Sequence, residues 1–220
     1  MNNVLRRSIL LLGGFLLVLA LAIFLPGGIR WWEGWLFLAV FTLETIFASL
    51  YLWRRNPEIF AARSKLQSGI KPWDKVMMIL LIVSIMTIFP VAGATHSAVP
   101  PWVIVVGYIL LTIGMVGSVW VYGVNKFAEP GVRIQTDRGH KVVDTGPYAI
   151  VRHPLYATAF LIFGGFALPL GSYWALFPAA IAAMVLVVRT ALEDRTLQRE
   201  LEGYKDYAGR VRSRLIPGVW

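Results

Sequence analysis

Arg189 and Glu193 stand four residues apart, and Arg152-His153-Pro154 stands some forty residues before them. On a helix, positions four apart share a face. An exposed pair of this kind is worth at most ~0.5 kcal/mol. Here Arg189 closes a long apolar run, which sets the pair at a lipid–water boundary. A cation and a carboxylate in that position would hold a zwitterionic cofactor or an amphiphilic substrate. Pro154 suits the first turn of a helix, where its missing N–H costs nothing. It also disfavours helical geometry at His153, placing that ring at a helix N-terminus, a location favourable to negative groups. An isolated His-Pro would read first as a plain helix cap. His96, His140 and His153 lack metal-ligand spacing, and the chain has no cysteine, so neither a metal centre nor thiol chemistry is expected.

The elements that must position these groups are almost all apolar. The chain is 57% hydrophobic and only 15% charged, against roughly 45–50% and about 25% in soluble domains. A polytopic all-α membrane protein follows. Residues 1–220 read as a single membrane domain: four N-terminal spans in 1–124, then a core in 125–220. The predicted spans are Ser8–Leu25, Gly34–Trp53, Val76–Ala94, Trp102–Val124, Leu155–Leu170 and Ser172–Val188. The last two form a tight hairpin, 155–188, around Pro169-Leu170-Gly171-Ser172. Met1–Arg7 is a short basic head, and Arg54–Lys75 is a basic connector. Gly107, Gly114 and Ser118 give the fourth span a face for close helix approach. From Arg189 onward the chain is charged. Leu197, Leu201, Tyr204, Ala208 and Val211 recur at helical spacing there, predicting an amphipathic helix on the membrane or on the polar block.

Charge fixes an expected topology. With both termini inside, Arg54–Lys75, Asn125–Pro154 and the tail share one side, and Arg30 is the only Lys or Arg on the other. Basic residues mark the cytoplasmic face, so the net charge of +9 reads as topology, not as a nucleic-acid surface. The hairpin leaves from the polar block and returns beside it, bringing Tyr156 and Arg189 together.

Gly146-Pro147-Tyr148, then Arg152-His153-Pro154-x-Tyr156, then Glu193-Asp194-x-x-Leu197, resembles the isoprenylcysteine carboxyl methyltransferase family. That family sits in a wider group of integral-membrane methyltransferases with the phospholipid methyltransferases. The similarity runs from about Asn125 to Pro217 and takes in Gly139-His140-Lys141-Val142-Val143, Tyr204-x-x-Tyr207 and Arg214-Leu215-Ile216-Pro217. The resemblance implies S-adenosyl-L-methionine bound between the loop block and the tail. It implies cofactor contacts from His140, Lys141, Val142, Val143, Tyr148, His153, Pro154, Leu155, Tyr156 and Glu193. Arg189 matches a substrate-binding arginine, so Arg189 and Glu193 are the expected catalytic pair, with Arg152 bracing the loop. Arg133–Gln135 is a further cofactor contact by the same likeness. Where the family often carries two glutamates, this chain has Glu193-Asp194.

Methyl transfer from a sulfonium is a displacement that mainly requires donor and acceptor to be held close, away from water. A carboxylate or thiolate acceptor needs no general base; an amine would need Glu193 or Asp194. Arg189 is expected to grip a carboxylate by a two-point pair. The substrate would be lipidic or prenylated and arrive from the bilayer. Isoprenylcysteine-like carboxylate leads, with a phospholipid amine or small thiol as alternatives. A nicotinamide-dependent membrane reductase and a non-enzymatic subunit are the rival classes. Glu44, midway along the second span, is expected to bond a neighbouring helix in protonated form, with a substrate-tunnel or proton-handling role as the competing reading.

Overall fold

The computed structural model describes residues 3–63 and 68–220, without the side chains of residues 3–5 and 7–9. Part of the predicted head, including the side chain of Arg7, and positions 64–67 of the basic connector therefore lie outside the described residues. The helices are α1 (Asn3–Gly27), α2 (Trp32–Arg55), α3 (Glu58–Arg63), α4 (Pro72–Thr95), α5 (Pro101–Val124), α6 (Pro154–Ala167), α7 (Leu176–Glu200) and α8 (Tyr204–Arg210). Short 3-10 turns cover Thr136–Arg138, Gly146–Ala149 and Leu168–Leu170. α1, α2, α4, α5 and α7 are long and apolar enough to cross a membrane, while Pro154–Leu170 is a shorter apolar helix. The all-helical, polytopic architecture expected from composition is the one observed.

The hairpin turn forms where Pro169 stops α6 and Gly171 adopts φ +63°, a conformation that suits glycine. α5 packs along α6 because its small residues admit the partner backbone. A Cβ on Gly107 would come within 2.5 Å of Pro169, and one on Gly114 within 2.6 Å of Ile162. Ser118 and Thr158 share a hydrogen bond of 2.8 Å across the same seam. The core is concentrated toward the opposite end of the bundle from the polar block. There Phe166 meets Phe41 edge-on at 5.6 Å and Phe89 at 5.2 Å, with Phe37 stacked on Phe41. Trp32, Trp35, Trp102 and Trp174 are exposed around that end, as tryptophans are at an interface.

Three boundaries depart from the expected ones, and all bear on the site. α7 begins four residues after Ser172 and continues past Val188 to Glu200. At ~1.5 Å per residue its 25 residues reach about 37 Å, longer than the ~30 Å apolar layer. Loss of apolar character thus marks where α7 leaves the hydrocarbon, not where it ends. The expected single tail helix is also broken. Leu201 ends α7, Gly203 turns at φ +76°, and α8 follows. Leu201, Tyr204 and Tyr207, with Leu197, Ala208 and Val211, pack on Ile134 and Val142 of the loop block, the second of the two resting places expected. α4, for its part, starts at Pro72, so Asp74 lies in its first turn and not in a connector.

Candidate functional site

At the end of the bundle where the 125–153 segment and the tail meet, a cavity of about 380 Å³ opens. That volume is in the range of small-molecule sites. Its outer part is lined by His140, Lys141, Tyr148, His153, Arg189 and Glu193. Its inner part is lined by Leu81 and Ile85 of α4, Ala159, Ile162 and Phe163 of α6, and Leu186 of α7. Polar and apolar walls thus belong to one space.

The polar walls are held by a hub at Asp194, which is fully buried. Its carboxylate accepts from Arg152 Nε at 2.8 Å and Nη2 at 3.1 Å, from Arg214 Nε at 2.9 Å, from Tyr204 Oη at 3.1 Å and from Gln198 Nε2 at 2.8 Å. His153 Nε2 lies 3.3 Å away. Arg152 also donates to the carbonyls of Val211 and Arg212 at 2.7 Å each, so it braces the loop against the tail as expected. Backbone pairing completes the seam: Arg152 N–H donates to Ser213 O and His153 N–H to Arg214 O. Burial raises the pKa of Tyr204, with the Asp194 charge adding to it, and burial likewise raises those of Tyr148 and Tyr207. All three remain neutral phenols. Tyr207 donates to Tyr148 O at 2.7 Å, and Asn125 Nδ2 donates to the Tyr148 hydroxyl at 2.6 Å.

His140 sits against Phe127 with ring centroids 4.8 Å apart, and its Nδ1 accepts from Gln135 N–H at 3.4 Å. Burial holds its pKa below the ordinary histidine value, with the charge of Glu129 opposing and those of Arg133 and Arg138 reinforcing. The ring is therefore neutral at pH 7. His153 caps α6 at φ −123°, ψ 61°, outside helical geometry, and its ring stacks on Tyr156 at 5.7 Å.

Glu193 and Arg189 do not form the pair their spacing suggests. Glu193 Oε2 accepts from the Tyr156 hydroxyl, and its Oε1 has no donor among the described residues. Arg189 turns instead to Asp74 on α4. Its Nε donates to Oδ1 at 2.7 Å, and its Nη2 donates to Oδ2 at 3.0 Å and to Pro130 O at 2.7 Å. Asp74 is fully buried and also accepts from Val132 N–H at 2.6 Å. The two-nitrogen edge expected to grip a substrate carboxylate is thereby occupied. Nη1 alone has no acceptor among the described residues, and Arg189 still lines the cavity.

Of the expected contacts, His140, Lys141, Val142, Val143, Tyr148, His153, Leu155, Tyr156 and Glu193 all line the cavity, as do Arg133 and Gln135. Pro154 is not among the lining residues; it is buried at the first position of α6, where it sets the chain direction. Asp74 and the depth of Asp194's involvement were not foreseen. Asp74 pairs across 115 residues of chain, and nothing local marks such a partner. Asp194 offered one signal, its adjacency to Glu193 in a motif otherwise read as cofactor-binding. Glu44 lies away from the cavity and accepts from the Thr112 hydroxyl at 2.5 Å, the neighbouring-helix bond anticipated for it. Its Oε2 and the Tyr108 hydroxyl are buried without partners among the described residues.

The described residues form a bundle of apolar helices with a charged cleft that is closed by its own tail and continuous with an apolar interior. Residues 102–202 match the family model described as phospholipid methyltransferase. Over that stretch, from α5 through the end of α7, the chain is similar to this family, the wider group in which the sequence resemblance lies. No curated protein matches the chain.

Proposed function

We propose that the chain transfers a methyl group from S-adenosylmethionine to the polar head of a membrane-soluble amphiphile, with an isoprenylated cysteine carboxylate as the leading acceptor. The observation that supports this reading is the single cavity that joins a charged mouth to walls made by four membrane helices. A polar donor fits the mouth and a hydrocarbon tail fits the depth. The residues present suit that donor. Among the described residues Glu193 Oε1 is an open acceptor and Arg189 Nη1 an open donor, and Val142, Leu197 and Leu201 offer an apolar wall between them and the tail. His140 to Val143, Tyr148, His153, Leu155, Tyr156 and Glu193 would hold it. Bound there, S-adenosylmethionine would supply a sulfonium methyl for transfer to the acceptor oxygen, with the sulfur left as a neutral thioether that keeps the bonding electron pair. The chain's own contribution is to fix both partners and to exclude water beneath α8. The loop block and the tail face the cytoplasm in this reading, on the distribution of Lys and Arg.

The test is calorimetric binding of S-adenosylhomocysteine to the purified protein in detergent, beside Glu193→Ala. Micromolar binding in the wild type, weakened at least tenfold in the variant, is the expected result. Absence of binding to folded protein, with binding of a nicotinamide dinucleotide phosphate instead, sinks the reading.

A second acceptor class is favoured by one specific pair of facts. The matching family is described by phospholipid methylation, and Glu193 Oε1 is free to take the proton that an amine must lose. Vesicles containing phosphatidylethanolamine, assayed beside an S-farnesylated N-acetylcysteine with radiolabelled donor, separate the two.

A further inference from the structure

We infer that Asp74 is a positioning residue for Arg189, and that its task is to restrict the arginine to one open nitrogen. This rests on the proposed methyl transfer to an amphiphile bearing a carboxylate. A free guanidinium pairs with a carboxylate through two nitrogens, one on each oxygen. Both oxygens are then engaged, and neither is left as a good nucleophile. In this protein the Nε–Nη2 edge is spent on Asp74 at 2.7 and 3.0 Å, and the second hydrogen of Nη2 on Pro130 O at 2.7 Å. Nη1 remains. It can hold one oxygen of an acceptor carboxylate and leave the other unpaired. Asp74 thus converts a two-point clamp into a one-point anchor, and the oxygen it spares is the one that can accept the methyl group.

The clamp is built to be rigid. Asp74 is fully buried, and its Oδ2 is shared with Val132 N–H at 2.6 Å. The preceding turn adds Lys71 N–H to Val132 O at 3.0 Å, and Lys71 Nζ to Glu200 at 2.7 Å. The start of α4 is therefore stitched to α7 and to the 130–132 loop at several points. The Arg189 guanidinium lies 5.4 Å from the centre of the Tyr156 ring, the same tyrosine that donates to Glu193. One anchored arginine, one tyrosine and one carboxylate thus form a continuous edge of the cavity. Asp74 itself falls outside residues 102–202, the stretch that matches the family model, so the positioning is supplied by an element beyond it.

The experiment uses the full chain in detergent with arginine ¹⁵N labelling, and the variants Asp74→Asn, Arg189→Ala and the double variant. In the wild type, the Nη1 and Nη2 resonances of Arg189 are expected to be separate, because Asp74 hinders rotation. In Asp74→Asn they are expected to merge. With the S-farnesylated N-acetylcysteine as acceptor, Asp74→Asn should lower kcat at least tenfold with KM changed less than threefold, since a two-point clamp binds but does not react. In the Arg189→Ala background, Asp74→Asn should change neither parameter by more than twofold. Resolved resonances in Asp74→Asn, or an equal loss in both backgrounds, overturns the proposal. If Asp74→Asn does not fold, the exchange Asp74→Arg with Arg189→Asp restores the buried pair on swapped helices. That variant should fold and bind S-adenosylhomocysteine but not methylate; full activity in it overturns the proposal. If the wild type binds no S-adenosylhomocysteine and methylates nothing, the functional reading fails. The resonances then decide the anchoring separately: merged in the wild type, they overturn it too.

Discussion

Glu193 and Asp194 are neighbours on α7, carry the same charge and have opposite surroundings. Asp194 is surrounded by donors from Arg152, Arg214, Tyr204 and Gln198 and is fully buried. Among the described residues Glu193 has one donor, Tyr156, and an oxygen left over on the wall of the cavity. A carboxylate buried without compensation is costly, and one with every lone pair satisfied is locked in place. The saturated acid is therefore spent on structure. The unsaturated one is where a ligand can still gain something. Arg152 and Arg189 repeat the contrast among the cations: Arg152 reaches a carboxylate and two carbonyls of the tail, whereas Arg189 keeps Nη1 in reserve.

The comparison breaks most readily at Asp194. Asp194→Asn leaves Arg152 facing an amide that cannot take two charged donors. A loss of roughly 3–5 kcal/mol is expected for breaking a buried pair, read as a shift in denaturant midpoint in detergent. A midpoint unchanged within error would show that the hub carries no stability. Arg152→Lys keeps the charge but not the planar fork, and should cost about 2 kcal/mol in the same assay. Tyr156→Phe belongs to the other half of the contrast. It should leave the midpoint nearly unmoved while weakening S-adenosylhomocysteine binding about fivefold, near 1 kcal/mol, because Glu193 loses its orienting donor. Equal effects of Tyr156→Phe on folding and binding would erase the distinction. The smallest effect is expected at Lys71→Ala. Its pair with Glu200 is 30% and 41% exposed, and exposed pairs contribute about 0.5 kcal/mol. A loss above ~1 kcal/mol would mean that the α4–α7 stitch acts as a unit.

The parts of this fold legible in the sequence are those written in local pattern. Uninterrupted apolar runs gave the crossings, and Pro169 with Gly171 gave the hairpin turn. Cavity placement of His140, Tyr148, His153 and Glu193 followed from the motif resemblance, with Arg152 correctly read as a brace. Two kinds of information were not local. The end of α7 was misplaced because hydropathy reports the solvent around a helix, while the backbone ladder continues through Thr190, Leu192 and Thr196 regardless. The partner of Arg189 was missed because the apolar pattern begins only at Val76, which left Asp74 in the basic connector. Only the tertiary path of α4 past α7 brings it to the guanidinium. The i,i+4 rule named Glu193 as a neighbour, and a better acceptor on another helix won.

The seam between the loop and the tail also sets an order of events during synthesis. Arg152 and His153 receive their carbonyl partners from Ser213 and Arg214, some sixty residues further along the chain. At ~5–20 residues per second, several seconds pass between the making of the one and the other. Asp194 is itself made 42 residues after Arg152 and 20 before Arg214, so for most of that interval Arg152 has no carboxylate, and at its end the cleft still has no roof. The nascent protein therefore passes through a stage in which the loop block exists and the site is not closed. In that stage Arg152 is a cation without the partners it has in the finished fold.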